Sequence, residues 1–293
     1  MARGIRQKAW SEKPPPGAQV NFGHPLANRI NRVWLLNLGG SLNDYDLVRR
    51  DRVTHTRVAA DTKYQTGRYG KEFQSGATGS GNGDGMNSTM TSGLGADSVS
   101  VYARFKINAT NGTLESTAPG GGGTLYACRV ASTDVSPTLG YYSKGFFGAD
   151  TSGVFVGAET STTLSAGIYY DLCGTFSRDA SVATFGGLWK TYLNGKFDGT
   201  ANNKNVAGTF GGTFSNVQST LGNNQQWLNS AHMFMVFVYV WKRALSPSEV
   251  LSVYTNPYAF LSPPAPRKRY FITPPAAVTA TQTLDESFVF AGW

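Results

Sequence analysis

The sequence is poor in the residues that most often carry chemistry. Only 15% of its 293 residues are charged, and it contains two cysteines and three histidines. Cys128 and Cys173 cannot build a disulfide framework, so we expect both to be buried free thiols. His24, His55 and His232 are too widely spaced to predict a ligand cluster. The composition therefore favours neither a metal centre nor a disulfide-stabilised secreted domain.

Long apolar runs are also missing. The longest one, from residue 233 to residue 241, is far shorter than the roughly 20 residues that a membrane-spanning helix needs. The first residues, "MARGIRQKAWSEKPPPG", lack the apolar core of a secretory signal. We therefore expect a soluble chain made in a reducing cytoplasm, with no membrane partner.

Glycine and aromatic residues are abundant instead. The chain has 35 Gly, 17 Phe, 14 Tyr and 6 Trp, which favours short strands joined by turns over helices. "SVSVYARFKI" and "GIYYDLCGTF" alternate between apolar and other residues as half-buried strands do. Asn194-Gly195 is the signal for a type I′ hairpin turn. Together these patterns predict an all-β, antiparallel sandwich.

The stretch from residue 233 to residue 257 gives the sharpest local prediction. Residues 233–241 are apolar at every position, so both faces of that strand should be covered. Ser246-Pro247-Ser248-Glu249 has the form of a capping box with proline at the first helical position. Asn256-Pro257 forbids further turns, so we expect one short C-terminal helix after a central strand.

Composition divides the chain into three segments: an extended N-terminal arm (1–29), a β body (30–261) and a proline-rich C-terminal arm (262–293). The formal net charge is +8, and much of the excess lies in the two arms. No nucleic-acid motif accompanies these charges, so we predict no specific nucleic-acid partner. Cations and apolar anchors of the C-terminal arm are the candidate partner-binding residues. They are Arg267, Lys268, Arg269, Phe288, Phe290 and Trp293.

Four segments resemble a known superfamily. "NRVWLLNLGG", "DSVSVYARFKI", "GLWKTYLNGKFDG" and "FMVFVYVWKRALSPSEVLSVYTNPY" are similar, in this order, to the laminin G-like members of the concanavalin A-like jelly-roll superfamily. The resemblance covers roughly residues 30–260 and implies a two-sheet jelly-roll sandwich. The arm "KAWSEKPPPGAQVNFGHPLANRI", the body and the tail "NPYAFLSPPAPRKRYF" together also resemble virion proteins of tailed bacteriophages. That second resemblance implies a virion location after synthesis in the bacterial cytoplasm and contact with the major capsid protein or other virion proteins. A strand that is apolar on both faces also predicts a closed homo-oligomer.

Candidate chemistry is sparse. Glycoside hydrolases on this fold carry an E-x-D-x-E pattern that is absent here, so we predict no enzyme. We interpret Asp44 and Asp46 as part of a solvated turn. Asn82 and Asp84 lie in "GNGDGMN", which lacks the remaining ligands of a calcium loop. We predict no cofactor, and Ca²⁺ remains an option that the resemblance alone raises.

Sugar binding is the alternative to a purely structural role, because the superfamily contains many lectins. Tyr141, Tyr142, Phe146 and Phe147 flank "SKG" and could stack on a sugar, although core or interface packing is the preferred interpretation. Two hypotheses therefore remain. The first is a non-enzymatic capsid decoration or cement protein held by its arms. The second is a lectin-like host-recognition module of a tail fibre or head appendage that binds a glycan.

Overall fold

The structure is a computed structural model, and it describes a little over half of the chain. The described residues are 13–15, 17–36, 43–55, 63–75, 86–89, 94, 96–108, 123–128, 137–151, 154–179, 187–199, 202–203, 218–222 and 233–263.

These ranges form short β-strands, one 3-10 turn and one α-helix. The strands are β1 (Gln19–Val20), β2 (Ile30–Trp34), β3 (Asn43–Tyr45), β4 (Arg52–His55), β5 (Lys63–Gly67), β6 (Gly70–Ser75), β7 (Met86–Thr89), β8 (Val99–Ile107), β9 (Gly123–Ala127), β10 (Pro137–Tyr141), β11 (Lys144–Thr151), β12 (Val154–Thr163), β13 (Tyr169–Arg178), β14 (Gly187–Leu193), β15 (Lys196–Phe197), β16 (Asn202–Asn203), β17 (Gln218–Leu221), β18 (Met233–Trp241) and β19 (Leu261–Ser262). The 3-10 turn is Pro25–Ala27, and the helix α1 is Pro247–Thr255.

Two antiparallel sheets face each other. The eight-stranded sheet has the order β12-β11-β10-β9-β17-β7-β4-β3. The nine-stranded sheet has the order β15-β14-β13-β8-β18-β6-β5, with β16 beside β14 and β2 beside β18. The predicted all-β antiparallel sandwich with one short helix is thereby confirmed. Its central strand is β18, which pairs with β8 on one side and with β6 and β2 on the other.

The inner core lies between the two sheets. Leu125 and Phe147 of the eight-stranded sheet belong to one buried cluster with Trp189 and Met235 of the nine-stranded sheet. Gly174 on β13 leaves the space that Phe147 fills, because a Cβ at position 174 would lie 1.9 Å from the Phe147 Cγ. Strand alternation places the apolar side of each strand in this core.

A second apolar cluster covers part of the outer face of the nine-stranded sheet. Tyr239 and Trp241 of β18 pack there against Leu26, Val250 and Phe260. The Trp241 indole Nε1 donates a hydrogen bond of 2.6 Å to the Leu26 carbonyl. The prediction that both faces of β18 are covered is confirmed. The cover comes from the N-terminal segment, α1 and the residues that follow α1, so a neighbouring subunit is not needed to explain it.

The described part of the predicted N-terminal arm is docked on the body. β1 pairs with β19, with Gln19 opposite Ser262 and Val20 opposite Leu261. Lys13 Nζ donates hydrogen bonds to the backbone carbonyls of Leu36 and Lys71. The described residues of the N-terminal segment therefore contact the body, and residues 1–12 lie outside the described ranges.

Three local predictions are confirmed. Asn194 and Gly195 have φ angles of 51° and 79° and close the β14–β15 hairpin. Ser246 accepts from the Glu249 amide while the Glu249 carboxylate accepts from the Ser246 amide, which completes the capping box. Cys128 and Cys173 are buried thiols that form no disulfide. Within the described part of the chain, no helix is both long and apolar enough to span a membrane.

The interpretation of Asp46 as a residue of a solvated turn is wrong. Asp46 is fully buried, and its carboxylate accepts hydrogen bonds of 2.6 Å from Arg32 Nη1 and 2.9 Å from the Val33 amide. Arg32 is buried as well and also donates to Asp51. A buried guanidinium needs an anionic partner, and Asp46 supplies it.

Candidate functional site

The outer face of the nine-stranded sheet has two halves, which we name by what lies over them. The covered half includes Tyr239 and Trp241 and lies beneath the N-terminal segment and α1. The open half lies at the other end of the same strands. Its side chains are Tyr69, Glu72, Arg104, Lys106, Tyr169, Asp171 and Phe234.

Strand register brings these side chains together. Tyr169 on β13 lies opposite Lys106 on β8, and Asp171 lies opposite Arg104. Phe234 on β18 flanks Lys106 from the other side. Because alternate residues of a strand share a face, the apolar residues between them point into the inner core. The open half therefore follows from the same alternation that builds the core.

A buried ion pair forms the base of the open half. Arg104 Nε donates to Asp171 Oδ2 at 2.9 Å, and the Tyr102 hydroxyl donates to Asp171 Oδ1 at 2.8 Å. Burial disfavours the charge on Arg104, but the attraction of Asp171 outweighs it and raises the pKa of the guanidinium. Arg104 therefore keeps its charge, and Asp171 holds that charge in a fixed orientation.

Two tyrosines stand beside this pair. Tyr69, from the tight turn between β5 and β6, meets Tyr169 edge to face with ring centroids 5.1 Å apart. The Tyr169 hydroxyl donates to the buried Glu72 carboxylate, 2.9 Å from either oxygen. Burial, followed by this hydrogen bond, raises the pKa of Tyr169 to about 12. Both rings are half-buried, so part of each remains accessible to solvent.

Cations lie over the aromatic rings. Arg104 Cζ lies 4.7 Å from the Tyr69 ring centroid, and Lys106 Nζ lies 4.9 Å from the Tyr169 centroid and 4.4 Å from that of Phe234. Such contacts hold the ring and the cation in a defined orientation, each contributing about 0.5–2 kcal/mol. The open half is thus a pre-organised surface of aromatic rings and hydrogen-bonding groups.

Two buried phenols lie behind the ion pair. The hydroxyls of Tyr239 and Tyr258 have no hydrogen-bond partner among the described protein atoms. Burial raises the pKa of both groups, and Arg104 and Asp171 are close enough to influence each of them. Both hydroxyls therefore remain neutral at physiological pH. They lie in the apolar cluster of the covered half, at its border with the ion pair.

The open half contains two carboxylates, two half-exposed tyrosine rings and a half-exposed lysine. Both carboxylates are engaged, Glu72 by Tyr169 and by the Tyr69 amide, and Asp171 by Tyr102 and Arg104. Across the described ranges no three His, Cys, Asp or Glu side chains are grouped as metal ligands would be. The half-exposed rings of Tyr69 and Tyr169 offer stacking surfaces, and the half-exposed Lys106 offers a donor.

The residues chosen from the sequence lie elsewhere. The six C-terminal arm residues, Asn82, Asp84 and His232 fall outside the described ranges, and their predicted roles stay predictions. The aromatic group Tyr141, Tyr142, Phe146 and Phe147 is buried, each side chain at most 6% exposed, which confirms the packing interpretation.

The open half was missed by sequence reasoning. Its one sequence signal is the placement of Arg104 and Asp171 in strands whose other residues are mainly apolar or small. A charged residue on the non-core face of a central strand indicates either a buried pair or an open face. Sequence alone did not show that these two residues pair with each other.

Comparisons with known proteins support the fold. No protein-family model matches the chain. No curated protein matches it either. The solved structures give matches whose sequence identity is so low that they bear on the fold alone.

One structural match is domain 4 of an extracellular arabinanase from Geobacillus stearothermophilus, solved with arabinotriose. It has a TM-score of 0.53 and 16% identity, covering 77% of this chain and 98% of that domain. The receptor-binding domain of botulinum neurotoxin type G has a TM-score of 0.51 and 12% identity, covering 78% of this chain and 51% of that one. A Trypanosoma rangeli sialidase has a TM-score of 0.51 and 14% identity, covering 80% and 33%. The chain thus spans about half of the toxin domain and a third of the sialidase.

Proposed function

We propose that this chain is a non-enzymatic binding domain that recognises a carbohydrate through the open half. The observation that carries the proposal is the half-exposed pair Tyr69 and Tyr169, fixed edge to face beside Arg104 and Lys106. Aromatic rings stack on the apolar faces of sugars, while neighbouring charged groups bind hydroxyls and acidic substituents. Because strands hold these groups, little ordering is required on binding.

A glycosidase is disfavoured by the state of the two carboxylates. A hydrolytic pair must flank the scissile bond, with one group able to donate a proton to it and the other able to attack or to activate water. Glu72 and Asp171 are both buried and both occupied by tyrosine or arginine donors. We therefore assign them a positioning role: Glu72 orients Tyr169, and Asp171 orients Arg104.

The charge around the open half suggests which sugars it favours. Lys106 and the exposed Arg68 lie beside Tyr169 and Tyr69, whereas the carboxylates lie below the surface. An oligosaccharide that carries an acidic unit should therefore bind more tightly than its neutral counterpart. The arabinotriose-bound arabinanase domain and the toxin receptor-binding domain illustrate binding roles on a similar fold.

A glycan array followed by calorimetry on the best hit tests the proposal. Replacing Tyr69 by Ala should weaken binding by about tenfold or more, because it removes both the stacking ring and the partner of Arg104. Replacing Phe197 by Ala is the matched control, since Phe197 is an exposed aromatic on β15, outside the open half. No glycan binding, or equal losses in the two variants, would overturn the proposal.

The second candidate function is a capsid decoration or cement protein of a tailed bacteriophage. The observation favouring it is the β1–β19 pairing, which ties the segment before the body to the segment that follows it. Both predicted arms would then be joined to the same edge of a laminin G-like body. In this hypothesis Arg267, Lys268 and Arg269 meet acidic shell surfaces, and Phe288, Phe290 and Trp293 act as apolar anchors.

Truncation separates the two candidates. If decoration is the function, deleting residues 264–293 should abolish association with virus shells. The midpoint of thermal unfolding of the body should stay unchanged. Unchanged shell association together with selective glycan binding would favour a host-recognition module instead.

A further inference from the structure

A basic pocket of about 630 Å³ opens at the opposite end of β8 and β18 from the open half. Its polar lining comes from the start of β2, the turn after β3 and the residue after β18. The residues used below are Arg29, Asn31, Arg49, Asp97 and Lys242. At about 3.3 Å per strand residue, roughly 20 Å separate this pocket from the open half. The two surfaces can therefore be tested independently.

The pocket presents donors without enough acceptors. Arg49 Nη2 donates to Asn31 Oδ1 at 3.2 Å, which fixes the orientation of the Asn31 amide. Asn31 is only 3% exposed, and its Nδ2 has no hydrogen-bond partner among the described protein atoms. A buried amide nitrogen left unpaired costs about 1–3 kcal/mol, so an acceptor from outside the protein would relieve it.

Cations dominate the charges around this amide. Arg29, Arg49 and Lys242 line the pocket, and Asp97 is the carboxylate among its described lining residues. Nearby Asp46 and Asp51 are already engaged by Arg32. Lys242 Nζ forms no ion pair within the described residues. Burial lowers the pKa of this lysine, and repulsion from Arg49 and Arg32 lowers it further. The described lining thus carries three cations against one carboxylate.

We propose that this pocket binds a phosphate or sulfate group through Lys242, Arg49, Arg29 and the Asn31 amide. A tetrahedral oxyanion offers acceptor oxygens in several directions, which matches donors that come from three separate chain segments. A carboxylate has two oxygens in one plane and satisfies fewer of these donors. The site does not depend on the proposed carbohydrate surface and stands if that surface fails.

Calorimetric titration of the full chain with sodium phosphate, sodium sulfate and sodium acetate at constant ionic strength tests the site. We expect saturable millimolar binding of phosphate or sulfate and at least about tenfold weaker binding of acetate. Lys242→Gln should weaken phosphate binding by about tenfold, because it removes one charge-assisted donor. Lys190→Gln on β14 is the control, since it removes the same charge from a half-exposed position outside the pocket.

Nuclear magnetic resonance on the unmodified chain gives a second measurement that does not depend on a variant folding. Phosphate should shift the Asn31 side-chain amide signal and leave that of Asn194, on the β14–β15 hairpin, unchanged. Titration with methyl phosphate then separates a free ion from an esterified group, and binding of either supports the site. The absence of saturable phosphate or sulfate binding up to about 50 mM, or equal losses in Lys242→Gln and Lys190→Gln, would overturn it.

Discussion

The covered and open halves of the nine-stranded sheet are built by the same strands but present opposite chemistry. β18 contributes Tyr239 and Trp241 to the covered half and Phe234 to the open half. β8 changes from Tyr102, in the apolar cluster, to Arg104 and Lys106. Where described segments of the chain cover the face it is apolar, and where no described segment lies over it, rings and cations share the surface. One face of one sheet therefore holds both a stabilising apolar cluster and the surface that we propose for binding.

The largest expected loss of stability comes from a substitution in the covered half. Trp241→Ala removes a fully buried ring and its hydrogen bond to the Leu26 carbonyl, and should lower the free energy of unfolding by about 4 kcal/mol. Urea denaturation measures it. Phe22→Ala is the control, because this ring is 64% exposed and its loss should change stability by less than about 0.5 kcal/mol. Similar losses in both variants would show that the N-terminal segment does not pack as described.

A slightly smaller effect tests the base of the open half. Asp171→Asn leaves the Arg104 charge buried without a full partner, and should cost about 3 kcal/mol in urea denaturation. The triple variant Tyr102→Phe, Arg104→Met and Asp171→Leu removes both charges and the hydroxyl that Asp171 accepts from, and should lie within about 1 kcal/mol of the unmodified chain. If the triple variant loses as much as Asp171→Asn, the open half is held by packing and not by this ion pair.

The smallest effect concerns the helix that provides part of the cover. Glu249→Gln weakens the capping box and the two hydrogen bonds from Arg243, of 2.7 and 2.8 Å, and should cost about 1 kcal/mol at neutral pH. Arg243 lowers the pKa of Glu249 to about 2 from its usual 4.5. A lowered folded-state pKa stabilises the fold above pH 4.5, and that contribution is lost as the pH falls toward 2.

Thermal unfolding measured between pH 7 and pH 2.5 checks this last prediction. The difference in midpoint between the unmodified chain and Glu249→Gln should stay constant down to about pH 4.5 and then narrow. A difference that is unchanged at pH 2.5 would mean that the Glu249 carboxylate does not stabilise the helix through its charge.

The features predicted from the sequence are those set by near neighbours. The capping box spans Ser246 to Glu249, and the Asn194-Gly195 turn joins strands that meet directly. The burial of both faces of Met233–Trp241 followed from its unbroken apolar pattern. What covers the outer face could not be predicted, because Leu26 and Trp241 are 215 positions apart.

Asp46 shows why charged residues are harder to place. Its position soon after Gly39-Gly40-Ser41 favoured a solvated turn, and the carboxylate is buried because Arg32 lies in a neighbouring strand. The open half was invisible for the same reason. Glu72 and Tyr169 are 97 positions apart, and Arg104 and Asp171 are 67 apart.

The sequence by itself determined the all-β class, the central strand, the hairpin turn and the capped helix. Alternation, turn geometry and capping depend on interactions among a few adjacent residues, so they can be predicted from the linear order of the chain. Tertiary structure alone decided which segments cover the outer face and which charged and aromatic side chains meet on it. That choice depends on the register between strands from distant parts of the chain, because a shift by one residue would turn Arg104 and Asp171 into the core.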